Sequence, residues 1–394
     1  MVYKIFVGVL AVWFVSGCVA KRDSLSESSP VRFERNVLTT EFISEGVCVA
    51  DINGDGLTDI IAGAYWFEAP HWKKHELAEP QKFDYATGYS NSFLNYAFDV
   101  DQDGWMDVIR IDIPGEAVSW YKNPGKDYSK HWDEQIIYPH FGNENPLMAD
   151  VDGDGRLDLI GNDPVREEVI WLRAPKEKGD TKWEKFIISD VKGRATHKYT
   201  HGLGFGDLNG DGRKDVMVHF GWWEMPEDPK QSNWTFHHAD LGRECAQMYV
   251  FDVDRDGLND VISSSAHNYG IWWHKHTKDH FGNTSFSQRE IYTEFSQTHA
   301  LAFDDINGDG KKDLVSGKRF YAHMLYDPGA TEPAVLYWFE HIERNGISAW
   351  IPHFIDDNSG VGYQVVVEDM DNDGLMDIVV ANKKGVHYFK QSRN

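Results

Sequence analysis

Seven times along the chain the pattern D-x-[DN]-x-D-G-x-x-D recurs, beginning with DINGDGLTD at residues 51–59. Side-chain oxygens at positions one, three and five of such a loop converge, the glycine at six permits a sharp turn, and position seven offers its carbonyl. An aspartate at position nine closes the shell. This is donor chemistry for a hard divalent cation, and many carboxylates in a loosely built loop favour calcium over magnesium. The expected ligands are Asp51, Asn53, Asp55 and Asp59; Asp99, Asp101, Asp103 and Asp107; Asp150, Asp152, Asp154 and Asp158; Asp207, Asn209, Asp211 and Asp215; Asp252, Asp254, Asp256 and Asp260; Asp305, Asn307, Asp309 and Asp313; and Asp369, Asp371, Asp373 and Asp377. Up to seven calcium ions are expected. An EF-hand would need a glutamate at position twelve and flanking helices; the first copy has Ala62 there, after Ile60 and Ile61, which favour a strand.

The formal net charge is −24. Such a chain lacks the basic surface that nucleic-acid binding requires. Much of the acid lies in the seven loops, and seven bound divalent cations would bring the charge to about −10.

The copies start 45 to 64 residues apart, and each is embedded in the same parts. An apolar strand A leads in ("VCVAD", "YAFDV", "LGFGD", "YVFDV"), a strand B follows the loop, and an aromatic strand C comes next, marked by Trp66, Trp120, Trp171, Trp223, Trp273, Trp338 and Tyr388. A fourth strand, D, carries pairs such as Trp132/Ile137 and Trp350/Ile355. The chain stops after strand C of the last repeat, while a matching pair, Phe33/Leu38, stands at the N-terminus. The expected architecture is therefore an all-β, seven-bladed β-propeller of four-stranded antiparallel blades, closed by the N-terminal strand. That strand, residues 33–38, should pair with residues 386–389 and remove the open edge.

With these repeats the chain resembles the FG-GAP/VCBS repeat proteins, propellers also found in integrin α heads and some fungal lectins. The resemblance covers residues 31–394. The later repeats, "HGLGFGDLNGDG" and "QTHALAFDDINGDGKKDLVSGKRFYAH", are similar to the propeller domain of aldos-2-ulose dehydratase. The N-terminus carries an apolar run too short to span a bilayer, ending in Val15-Ser16-Gly17-Cys18. It resembles a bacterial lipoprotein signal. Residues 1–17 are expected to be a signal peptide, Cys18 the lipidated residue and 18–30 a flexible tether. The protein would then be an exported, periplasmic or outer-membrane-associated monomer that meets the membrane only through its lipid. Cys48 and Cys245 are read as buried free thiols.

An up-and-down meander puts all seven acidic loops at one end of the ring. The opposite end gathers Asn95, Asn145, His201, Gln247, His299 and Gln364 before the inner strands, and His267, Lys318, Arg319, His323 and Lys383 after the second strands. Histidines, cations and amides suit an anionic or polyhydroxylated ligand, and aromatic side chains stack on sugar rings. The primary expectation is binding of, or action on, carbohydrate at this end. If the protein is catalytic, the dehydratase resemblance implies carbon–oxygen lyase chemistry: His201, His299, His323 and His267 as base or transition-metal ligands, with Lys318 and Arg319 holding an anion. A non-catalytic protein-interaction scaffold is the remaining alternative. No serine-hydrolase elbow, P-loop or dinucleotide glycine run is present.

Overall fold

The computed structural model describes residues 31–393; the expected signal, Cys18 and the tether lie outside them. Apart from one 3-10 turn at Ala322–Leu325, the regular structure of the described residues is all strand. Each repeat forms the A-B-C-D meander of the sequence reading, with antiparallel neighbours throughout.

The N-terminal strand, Val31–Thr39, pairs antiparallel with Gly385–Arg393, placing Arg35 opposite Phe389 and Val37 opposite His387. It lies outside strand C of the last repeat, in the order expected for closure. The sheets do not, however, number seven. Five are separate four-stranded sheets, and the other eight strands, from repeats four and five, form a single sheet. Their inner strands, Leu203–Gly206 and Gln247–Phe251, join in parallel through Leu203–Gln247 and Gly204–Met248. Two glycines allow the approach. A Cβ at Gly204 would stand 2.7 Å from the Met248 carbonyl oxygen, and one at Gly206 would stand 2.5 Å from Val250 Cβ. The motif "LGFGD" thus fuses two blades that the repeat pattern alone separates.

The strand C indoles of Trp66, Trp120, Trp171, Trp223 and Trp338 are almost wholly buried and form the wedges between blades. Cys48 and Cys245 are buried and unbridged.

Each ninth-position aspartate ties its blade together. Asp59 accepts the Ile52 N–H at one oxygen (3.0 Å) and the Ala69 N–H at the other (2.8 Å). It thereby links the start of its loop to the end of strand C. Asp107, Asp158, Asp215, Asp260, Asp313 and Asp377 repeat the bridge with Asn123, Ala174, Met225, His276, His341 and Gln391 as the far donors. A buried carboxylate holding two backbone donors is costly to replace, because removing it leaves both amides unsatisfied.

The closing strand carries a titratable contact. His387 is buried with Nδ1 3.4 Å from the Arg35 guanidinium, which also bonds Asp356 at 3.1 Å. Burial, then Arg35, pushes the imidazole down to about 4, with Asp356 opposing. The unfolded chain therefore takes up this proton at higher pH than the folded one. Stability from this site is full above the ordinary histidine value of 6.5 and lost as pH falls through about 4, by up to about 3 kcal/mol. Melting curves between pH 7 and 4.5 should show a smaller loss of Tm for His387→Gln than for the parent; equal losses would contradict this assignment.

Candidate functional site

At the end of the ring opposite the acidic loops, four histidines from three repeats meet. His201 precedes the inner strand Leu203–Gly206 and His299 precedes Leu301–Asp304. His267 follows Asp260–Ser264, and His323 sits in the 3-10 turn of the long sixth-repeat connection. Ring centroids lie 4.5 Å apart for His201/His267, 5.7 Å for His267/His299 and 6.5 Å for His201/His299, and His323 stacks on His267 at 4.2 Å. One ring nitrogen from each of His201, His267 and His299 lies within 4.8 Å of the others. Nitrogens around a tetrahedral zinc stand about 3.4 Å apart, so small side-chain adjustments suffice to close the set.

The outer nitrogens are anchored. His201 Nδ1 faces the Tyr199 carbonyl at 3.0 Å and His299 Nδ1 faces the Gln297 carbonyl at 3.2 Å. A carbonyl only accepts, so these nitrogens carry protons and leave Nε2 for the centre. His267 Nδ1 lies 3.5 Å from Asp327 Oδ2, while its Nε2 stands 2.8 Å from His201 Nε2. This is the arrangement by which proteins orient metal-binding imidazoles. His299 Nε2 is buried without a partner. Burial, then Arg319, holds the His299 imidazole well below its usual range, and burial lowers His267 too. His201 differs: burial would lower it, but Glu144, 3.0 Å away, outweighs that and favours the imidazolium. A cation bound here would displace that proton.

Glu144, Asp327, Tyr363 and Glu45 complete the site and were not picked out from sequence. The Tyr363 hydroxyl donates to Glu144 Oε2 at 2.8 Å. His323 Nδ1 lies 2.7 Å from Asp327 Oδ2, which also accepts the Gln297 amide at 3.1 Å. Glu144 neighbours Asn145 and Asp327 lies in the long connection; only the fold turns either toward the histidines.

The expected anion-holding cations prove to be internal struts. Arg319 is fully buried between the Tyr363 and Tyr89 rings and pairs with Glu45 at 2.8 Å. Lys318 donates to Gln297 Oε1 at 2.7 Å and faces the Ala330 carbonyl at 3.4 Å. Lys383 donates to the Tyr85 and Tyr321 carbonyls at 3.1 and 3.3 Å. Burial lowers both lysines to about 8. Together they hold the connection that presents His323 and Asp327, whose backbone is left-handed at Tyr321, His323, Met324 and Leu325. Left-handed backbone at four non-glycine residues is costly and persists only where the surroundings impose it.

The expected amides close the axis. Gln364 bonds the Asn95 backbone through both side-chain atoms, at 2.7 and 2.9 Å. Gln247 donates to the Tyr363 carbonyl at 2.7 Å and accepts the Leu301 N–H at 3.2 Å. Asn95 is buried against Ser44 and Ser92, and buried Asn145 donates its N–H to Asn143. Gln247 and Gln364 also face a pocket of about 420 Å³ between the inner strands. Another pocket, of about 400 Å³, lies beside His267 and is lined by Trp272, Tyr269, Arg243, Glu244, Asn268 and Gln288, among others.

The FG-GAP-like repeat family matches residues 99–161 and 252–316, and the FG-GAP repeat family matches residues 45–69. No curated protein matches the chain. Among solved structures, BBS1N in complex with ARL6DN is similar with a TM-score of 0.53 at 10% identity, over 93% of this chain and 98% of that one. An Agrocybe aegerita lectin that recognises non-reducing terminal N-acetylglucosamine is similar with a TM-score of 0.49 at 16% identity, over 90% of this chain and 86% of that one.

Removing the acid from the Arg319–Glu45 pair strands a fully buried guanidinium. Glu45→Gln should cost about 3–5 kcal/mol, read as a lower urea midpoint, and Glu45→Leu combined with Arg319→Met should recover most of the loss. A neutral single variant would contradict the strut role.

Proposed function

We propose that this propeller of FG-GAP repeats acts on carbohydrate at its histidine-bearing end, using a transition metal held by His201, His267 and His299. The observation that carries the reading is the inward convergence of three imidazoles whose outer nitrogens are each fixed by an oxygen. Glu144 offers a further oxygen at the same point. A metal bound there supplies Lewis acidity toward a carbonyl or carboxylate.

The pocket beside His267 supplies what a sugar needs. The Trp272 and Tyr269 rings give flat apolar faces for the C–H side of a pyranose, while Asn268, Gln288 and Glu244 offer hydroxyl partners. Arg243 makes no ion pair among the described residues and suits the acidic group of a uronate. A keto or carboxylate group of an anionic or oxidised sugar seated there points toward the histidines. The ligand cation is thus Arg243 on the pocket wall, in place of Lys318 and Arg319.

A second reading, lyase chemistry, is favoured by the His323–Asp327 pair at 2.7 Å. Asp327 fixes the orientation of the imidazole through Nδ1 and leaves Nε2 for the substrate, as a general base requires. His323 would take the proton α to the sugar carbonyl; the C–H electron pair forms the carbon–carbon double bond as the C–O bond breaks, and the departing β-hydroxyl takes that proton back from His323 to leave as water. The lipid anchor at Cys18 and export belong to the same proposal, placing the site where extracellular glycans are met.

Titration with cobalt(II) should give one visible-absorbing site per chain. His299→Ala should weaken it roughly 100-fold, and Asp327→Asn roughly 10–100-fold, with the melting temperature of the metal-free protein little changed. Incubation of the metal-loaded protein with uronate oligosaccharides or osones should give either saturable binding or a rise in ultraviolet absorbance from a new double bond. No cobalt spectrum, or one unaltered in His299→Ala, would overturn the reading.

A further inference from the structure

The pocket beside His267 continues outward along the side of the ring. A second cavity, of about 840 Å³, lies between the outer strands of repeats four and five, and Asp240 borders both spaces. The opposite wall is continuous too. It is the long strand Thr284–Ser296, whose Gln288 faces the pocket at the histidine end, while its Phe286 and Thr284 face the second cavity. Residues two apart in a strand share a face, so one side of a single strand lines the two spaces in turn. Thr284 pairs with Lys278, Phe286 with His276, Gln288 with His274 and Glu290 with Trp272, the indole that lines the inner pocket. From Thr284 to Glu290 the wall rises by six residues, about 20 Å at the spacing of a β-strand.

The groove follows from how these two blades are built. Their inner strands join in parallel through Leu203–Gln247 and Gly204–Met248, which fixes them edge to edge at the axis. Their outer strands are unequal: Thr235–His238 has 4 residues and Thr284–Ser296 has 13. The longer strand stands well beyond its short neighbour and leaves its facing side uncovered. Phe286 packs against the cluster of Trp222, Leu241 and Met248 between the blades, so the tall wall is held in place before any ligand arrives.

The lining alternates flat rings with small polar groups. Phe236 and Phe286 are half-buried, and exposed His238 stands edge-on to Phe236 with ring centroids 5.0 Å apart. Thr284, Ser285 and Asn283 are exposed beside them. Glu224 is already held by His237 at 2.8 Å, and Lys278 marks the open end, bonding the Asn209 carbonyl at 3.1 Å. Aromatic faces suit the C–H sides of pyranose rings, and hydroxyls, amides and imidazoles suit their hydroxyl rims. The groove is open along its length and closed only at the histidine end, which suits a linear ligand entering by one terminus.

We infer, resting on the carbohydrate reading above, that the ligand is a chain of sugar units: one unit sits in the pocket beside His267, and the next ones run outward past Asp240 along Thr284–Ser296. Phe236, His238, Thr284 and Phe286 then bind units remote from the histidine centre and set a preference for length. Calorimetric titration of the full, cobalt-loaded chain with uronate oligosaccharides should give a Kd about 10-fold lower for the hexamer than for the dimer. Thr284→Trp, which lays an indole across the groove, should bring that ratio close to one, and His238→Ala should bring it to about 3-fold. Melting curves check that both variants fold. Equal affinity for dimer and hexamer would overturn the inference and leave the carbohydrate reading standing. A length gain that survives both folded variants would place the outer units elsewhere and overturn it as well; no binding at any length would overturn both.

Discussion

A carboxylate that accepts two backbone amides from strands that are not neighbours in sequence fixes their spacing more firmly than a packed side chain does. The ninth-position aspartates do this seven times, from Asp59 to Asp377, each buried and each holding the start of a turn to the end of strand C. With one end of every blade set this way, the inner strands point their other ends at a common axis. His201 and His299 stand on those ends, and His267 and His323 on the connections beside them. The geometry of the histidine centre thus descends from aspartates at the far rim.

Between the rims lies a polar layer. Gln247 and Gln364 span the axis by bonding backbone groups of other blades, and so separate the histidine centre from an axial pocket of about 420 Å³ lined by Leu147, Leu203, Phe205 and Met248, among others. Lys318 and Lys383 brace the connection that carries His323 and Asp327, and Arg319 ties its start to Glu45. A rigid frame of this kind suits chemistry that needs fixed imidazoles, because orientation is bought by structure formed before any ligand arrives.

Much of this was legible in the sequence, for reasons that differ by residue. The acidic loops announce themselves by spacing, and the displaced pair Phe33/Leu38 declares the closing strand because an unpaired edge must be covered. The four histidines could be placed at one end by counting strands. Their convergence depends on blade angles, which no periodicity encodes. Lys318, Arg319 and Lys383 read as ligand-holding cations because burial is invisible in a loop sequence; Glu45, Arg319's partner, lies 274 residues away. The parallel fusion of two blades turned on Gly204 and Gly206, which in sequence look like ordinary strand glycines.

Crystals grown with zinc or cobalt and measured on either side of the metal's absorption edge test the central claim most directly. An anomalous peak is expected between His201, His267 and His299, with imidazole Nε2 ligands at about 2.0–2.1 Å for zinc. Well-ordered histidines with no anomalous peak among them, or a metal bound only elsewhere on the ring, would contradict it.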